Sequence, residues 1–285
     1  MTKRSLTSLA VAGAASLAVA APASADTLLT PAPDARNIAY GGGYAAWAAP
    51  QGDGFRLVVR APDGTVSTPD LPAFAEAPDP TIGSTGFAVA NRRLLLLFSR
   101  EDASGDSDIH TYDLRAGGAE QRLPGLSTSS YDETAASMQF GRYAVVRTGG
   151  RLNGVVTGSL GRAGVRRISR SIATEVASNG SRVGYVASRG IFIERASGKG
   201  RALRIAAPDA RSLTMTRYQA AWLTADGELQ LTQRFAGSGG PYDLVVRTAP
   251  RQPAGITGVA AGASFNDLLF TDAEGVKKAD SSLIR

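Results

Sequence analysis

One histidine, no cysteine and one dense acidic loop bound the chemistry open to this chain of 285 residues. The loop carries Glu101, Asp102, Asp106 and Asp108. Several oxygens so close together could hold calcium, but no bidentate glutamate follows at the EF-hand position. A solvated loop between strands is the competing reading, so the expected cofactor is none, with calcium as the alternative. His110 follows directly. A Ser-His-Asp triad would have to use it, and no Gly-x-Ser-x-Gly elbow is present. A zinc site would have to recruit carboxylates around that single imidazole. Gly198-Lys199-Gly200 lacks the rest of a phosphate loop and reads as a hairpin turn. Paired carboxylates of the glycosidase kind stay open, because one sequence does not show which acids meet in space.

The basic counterpart is Arg162, Arg166, Arg167 and Arg170. Guanidinium groups suit the phosphates or carboxylates of a wall polymer. Arg166 and Arg167 are adjacent, so on a strand they face opposite ways and the patch is halved. Asp102, Asp106, Asp108, Arg166 and Arg167 are the candidate partner contacts; no catalytic residue is assigned. The formal charge of +6 suits anionic surfaces. Nucleic acid is not expected, since no basic stripe with interleaved aromatics occurs.

The elements that would position these groups recur. A turn-rich stretch leads into a short apolar run with a bulky aromatic, then a polar loop and a second apolar run. Tyr44-Ala45-Ala46-Trp47, Tyr143-Ala144-Val145-Val146 and Tyr218-Gln219-Ala220-Ala221-Trp222 are three such runs. A spacing of ~40–50 residues marks a repeat fold whose units bury their faces against neighbours. Repeats are read near 35–72, 85–123, 136–168, 173–205, 212–248 and from 256 onward. Each has room for four antiparallel strands, the content of a propeller blade. The first strand of repeat two is placed at Phe87-Ala88-Val89, and one helical turn at 129–138. Trp47 and Trp222 hold equivalent places, which predicts packing between blades.

Ahead of the repeats, Lys3 and Arg4, an apolar run to Ala20 and Ala23-Ser24-Ala25 have the form of a secretory signal. The expected organisation is signal peptide 1–25, leader or closing strand 26–36, and one propeller domain 37–285. Thr27-Leu28-Leu29-Thr30 could complete the last blade and close the ring, covering an exposed edge. An exported chain without cysteine must stabilise itself by burial rather than disulfides.

Repeat two is the most specific. Leu96-Leu97-Phe98-Ser99-Arg100 is followed by Ser107-Asp108-Ile109-His110-Thr111-Tyr112-Asp113-Leu114 and the exit Gln121-Arg122-Leu123. This resembles a blade of the TolB-like, WD40-like propellers. The resemblance implies an all-β fold of six four-stranded blades, with five as the alternative. It implies no activity, because propellers host many functions. The expectation is an exported, monomeric binding or scaffold module contacting a protein or an anionic envelope polymer. No transmembrane segment is expected in the mature chain. The alternative is a propeller hydrolase or lyase acting on an extracellular glycan or peptide through channel carboxylates.

Overall fold

The computed structural model describes residues 26–85, 93–123, 126, 130–232, 245–250, 252–262 and 268–280. The signal-peptide reading over 1–25, the strand placed at Phe87–Val89 and the glycine run 237–240 lie outside them. The described chain is all strand and turn: six antiparallel sheets of four strands each, a six-bladed propeller.

Strand β1 (Thr27–Pro31) comes first. Blade one follows with β2 (Arg36–Gly41), β3 (Tyr44–Gln51), β4 (Gly54–Arg60) and β5 (Val66–Ser67). Blade two holds β6 (Thr81–Ser84), β7 (Leu94–Glu101), β8 (Ser107–Asp113) and β9 (Gln121–Arg122). Blade three holds β10 (Asp132–Gln139), β11 (Arg142–Thr148), β12 (Gly154–Ser159) and β13 (Arg166–Ser169). Blade four holds β14 (Ala173–Ser178), β15 (Arg182–Ala187), β16 (Gly190–Arg195) and β17 (Leu203–Ile205). Blade five holds β18 (Arg211–Met215), β19 (Ala220–Leu223), β20 (Leu229–Thr232) and β21 (Val246–Thr248). Blade six holds β22 (Gly258–Ala261), β23 (Leu268–Thr271) and β24 (Gly275–Lys278), with β1 as its outer strand. The ring is therefore closed by the two ends of the chain, β1 running antiparallel to β24.

Two placements change. Blade two begins at Thr81, not near Thr85. The helical turn expected over 129–138 is replaced, from Asp132 on, by strand β10, which pairs with β11 along its length. Its Ala135-Ala136-Ser137 stretch lacks the branched residues that usually advertise a strand.

The hydrophobic clusters sit between blades. Trp47 is 2% exposed and packs with Ala260, Leu269 and Val276 of blade six. Trp222 is 1% exposed and packs with Val186, Ile191 and Ile193 of blade four. Their equivalent positions thus close equivalent joints. Leu94 to Phe98 is buried on both faces of β7, as its continuous apolar run requires.

The inner strands approach one another closely, and glycine permits it. A Cβ on Gly83 of β6 would lie 2.4 Å from the Met138 carbonyl oxygen of β10. Gly83→Ala is therefore expected to force blades two and three apart and to cost about 1–3 kcal/mol, the usual range for overpacking. Thermal melting reads this; a curve that superimposes on the parent's would mean the joint has slack.

Candidate functional site

The inner strands β2, β6, β10, β14, β18 and β22 wall a central channel of about 360 Å³. All six run the same way along the axis. First-to-second and third-to-fourth turns therefore share one face of the ring. Second-to-third turns and the links between blades share the other.

Register shifts occur near the start of β2, β10, β14 and β18, between Arg36/Ala39, Glu133/Ala135, Ala173/Glu175 and Arg211/Thr214. A bulge bends its strand and re-aims side chains. Asn37 and Ser212 sit in these bulges with φ of 52° and 53°, left-handed values uncommon outside glycine. Each is tied across a joint. Asn37 Nδ2 donates to the carbonyls of Ala77 and Pro78, both at 3.1 Å. The Glu175 carboxylate accepts from Ser212 N at 2.9 Å and Leu213 N at 2.6 Å. Both Glu175 oxygens are thus committed to the bulge of the next blade.

Asp79, just past that Asn37 clasp, lines the channel at the same mouth as Glu175. Asp79 is exposed to the channel and flanked by the ring walls. Confinement first, and the Glu175 charge second, push Asp79 up to about 7. Burial also raises Glu175, against the two amides that hold it. Arg36 lies over the Phe55 ring at 5.5 Å, while the Arg211 charge opposes the rise of Glu175. Among the described residues Asp79 makes no hydrogen bond or ion pair. Behind it the channel wall is mixed, Ile82, Met138, Met215 and Val259 alternating with Thr81, Ser137, Ser178 and Thr214.

The opposite mouth is basic. Arg93 and Arg115 line it, and Arg93 pairs with Asp113 at 2.7 Å. That whole face carries arginine and lysine on its turns: Arg142, Arg182, Lys199 and Arg217 join them. Phe140 and Tyr218 stand on first-to-second turns of the same face, 42% and 48% exposed. The face of the Asp79 mouth is mixed. Asp53, Glu76, Asp106, Asp226 and Glu274 stand there with Arg151 and Arg189.

The sequence candidates separate. Asp102, Asp106 and Asp108 are on the outer part of blade two, away from the channel lining. Asp102 Oδ1 accepts from Ser104 N, Ser104 Oγ and Asp106 N, folding the loop on itself. The Ser104 bonds hold its carboxyl below the usual range. Asp108 is 1% exposed and pairs with Arg122 at 3.0 Å. Among the described residues no group of three or more His, Asp or Glu is placed to hold a metal ion. His110 packs inside its own blade, its ring 6.1 Å from that of Phe98 and its Nδ1 3.3 Å from Glu120. Burial lowers its pKa despite Glu120. Arg166 and Arg167 do diverge: Arg166 reaches the Ser197 carbonyl of blade four, Arg167 that of Arg151 in its own blade, both at 2.7 Å. Asp79 and Glu175 were not singled out by sequence, since their blades are brought together only by the ring.

No family model matches the chain, and no curated relative is found. Solved structures do resemble it. A chain of a mitotic checkpoint complex superposes with a TM-score of 0.54 at 14% identity, covering 98% of this chain and all of that one. TolB from Acinetobacter baumannii gives 0.50 at 14% identity, over 83% of this chain and 64% of TolB. The likeness is to the fold. The resemblance to TolB-like and WD40-like propellers thus holds at that level. No helix among the described residues is long and apolar enough to cross a membrane.

Proposed function

We propose that this chain is an exported, non-enzymatic binding propeller whose partner is a protein or an envelope polymer. The observation that carries the reading is the polarity of the ring. One channel mouth presents the unpaired Asp79 carboxyl, the other arginines and two exposed aromatics. Exposed aromatic and arginine side chains on one face, opposite a face of mixed charge, are what an interface uses for affinity and orientation. Glu175, the second carboxyl at the acidic mouth, already serves as a structural clasp.

The hydrolase or lyase reading has one observation in its favour. Asp79 and Glu175 both titrate above the ordinary carboxylate range, as paired acids in active sites do. Affinity purification from envelope extract with mass spectrometry, run beside glycan and peptide turnover assays, decides between them. The binding reading expects a reproducible partner and no turnover. Turnover that disappears in Asp79→Asn, with no partner recovered, would overturn it.

A further inference from the structure

A second cavity, of about 330 Å³, opens between blades three and four, with Arg142, Arg162 and Arg166 in its walls. These residues come from three places. Arg142 begins β11, Arg166 begins β13, and Arg162 lies in the turn that joins β12 to β13. That turn is set by Arg162 N donating to Ser159 O at 3.1 Å, with Gly161 at φ 73°. Blade four completes the wall through Ser178, Ala196 and Ser197.

The wall is tied rather than loose. Arg166 Nη1 donates to Ser197 O at 2.7 Å, and Thr157 Oγ1 to Ala196 O at 3.0 Å. Arg142 Nη1 donates to Gly180 O at 3.4 Å. At Gly158 a side chain is excluded: a Cβ there would overlap the Tyr143 ring, which also lines the cavity. None of the three arginines has a carboxylate partner among the described residues. A guanidinium has five N–H donors, so Arg142 and Arg166 keep most of theirs after the one backbone bond each makes. Three like charges around one cleft repel unless an anion joins them.

We infer that this cavity is an oxyanion site, taking a carboxylate or phosphate group. The arginine-bearing turns of the surrounding face would steer such a group toward it. Where the group belongs to the binding partner, the inference rests on the function proposed above; where it is a free ion, it stands alone.

The test uses the purified chain at low salt, with arginine Nε–Hε NMR signals as the readout. The two probes are inorganic phosphate and a glutamate-rich peptide. Saturable shifts confined to Arg142, Arg162 and Arg166 are expected with at least one probe. Arg162 and Arg166 are both exposed, so Arg162→Gln/Arg166→Gln should remain folded and bind at least about tenfold more weakly, having lost two charge-assisted anchors. Arg189→Gln, on the other face, should bind as the parent does. Equal shifts at Arg189, or unchanged affinity in the double variant, would sink the site. A response to phosphate alone supports the site and removes the partner's carboxylate from it. If an envelope partner is still captured by the double variant, the partner docks elsewhere while the binding function stands.

Discussion

Replacing Arg147 with alanine is expected to cost about 3–5 kcal/mol, the range for breaking a buried ion pair from one side. Arg147 is 3% exposed. Its Nε donates to Glu133 Oε1 at 2.8 Å, its Nη2 to Leu126 O at 2.7 Å, and its guanidinium lies over the Tyr131 ring at 4.3 Å. Alanine would strand a carbonyl and a carboxyl together. Glu133 itself is fully buried, and its Oε2 has no acceptor role to fill. Asp108 of blade two is beside it, with both carboxylate oxygens lacking a geometrically sound donor. A proton on Glu133 resolves this, because Oε2–H can then donate to Asp108.

The pH dependence follows from that proton. Burial, outweighing Arg147 and aided by Asp108, raises Glu133 to about 7 from an unfolded value of 4.5. The folded state thus holds the proton more tightly, so this group's contribution is complete below about 4.5 and is lost as pH climbs through 7. Arg122, Arg147, Asp106 and Asp132 are the other charges at this joint, and their balance decides how much repulsion survives. Glu133→Gln keeps an oxygen for Arg147 and supplies an N–H for Asp108. Relative to the parent it should gain stability between pH 5 and pH 8. Arg147→Ala should cost more at pH 8, where the parent's ionised Glu133 is held by the guanidinium and the variant's must take up a proton or stay charged and unpaired, than at pH 5. Urea unfolding at both pH values measures this, and equal costs for Arg147→Ala would mean that the pair does not hold its proton as described.

How far the sequence could be read depended in part on the distance from the axis. Second strands such as β7 and β11 carry unbroken runs of Leu or Val and were legible, as were the tryptophans that close their joints. Among inner strands, Asn37–Tyr40 of β2 and Val259-Ala260 of β22 were legible, but β6 and β10 were not. Thr81-Ile82-Gly83-Ser84 is only four residues long with a glycine in it, and Ala135-Ala136-Ser137 is made of small residues that carry weak strand propensity. The convergence of the inner strands hid the acidic mouth. Asp79 lies in a link and Glu175 in a bulge, and neither has a local pattern. The basic cluster was half legible. Strand alternation correctly parted Arg166 from Arg167, but Arg142 joins Arg162 and Arg166 only because β11 lies beside β12 in the sheet.

Removing residues 26–31 should lower stability by at least about 3 kcal/mol, from lost ladder bonds and apolar burial together. β1 supplies the outer strand of blade six, pairing Thr27 with Lys278 and Pro31 with Gly275. Asp26 Oδ1 accepts from Asp280 N at 2.9 Å, fixing its far end. Leu29 packs against the cluster of Trp47, Ala45 and Val276 that joins blade six to blade one. The effect exceeds that of one strand because a propeller has no spare neighbour at its seam. Each blade leans on the next, and an opened ring lets the first and last separate. The bared β24 edge then offers unpaired N–H and C=O groups to other chains. Denaturant unfolding should show the loss, and size-exclusion chromatography should show concentration-dependent association. A synthetic peptide covering residues 26–33 should restore both. A truncated chain that melts with the parent and stays dispersed would mean that blade six holds to blade one through Leu269, Ala260 and Trp47 without the strand that closes it.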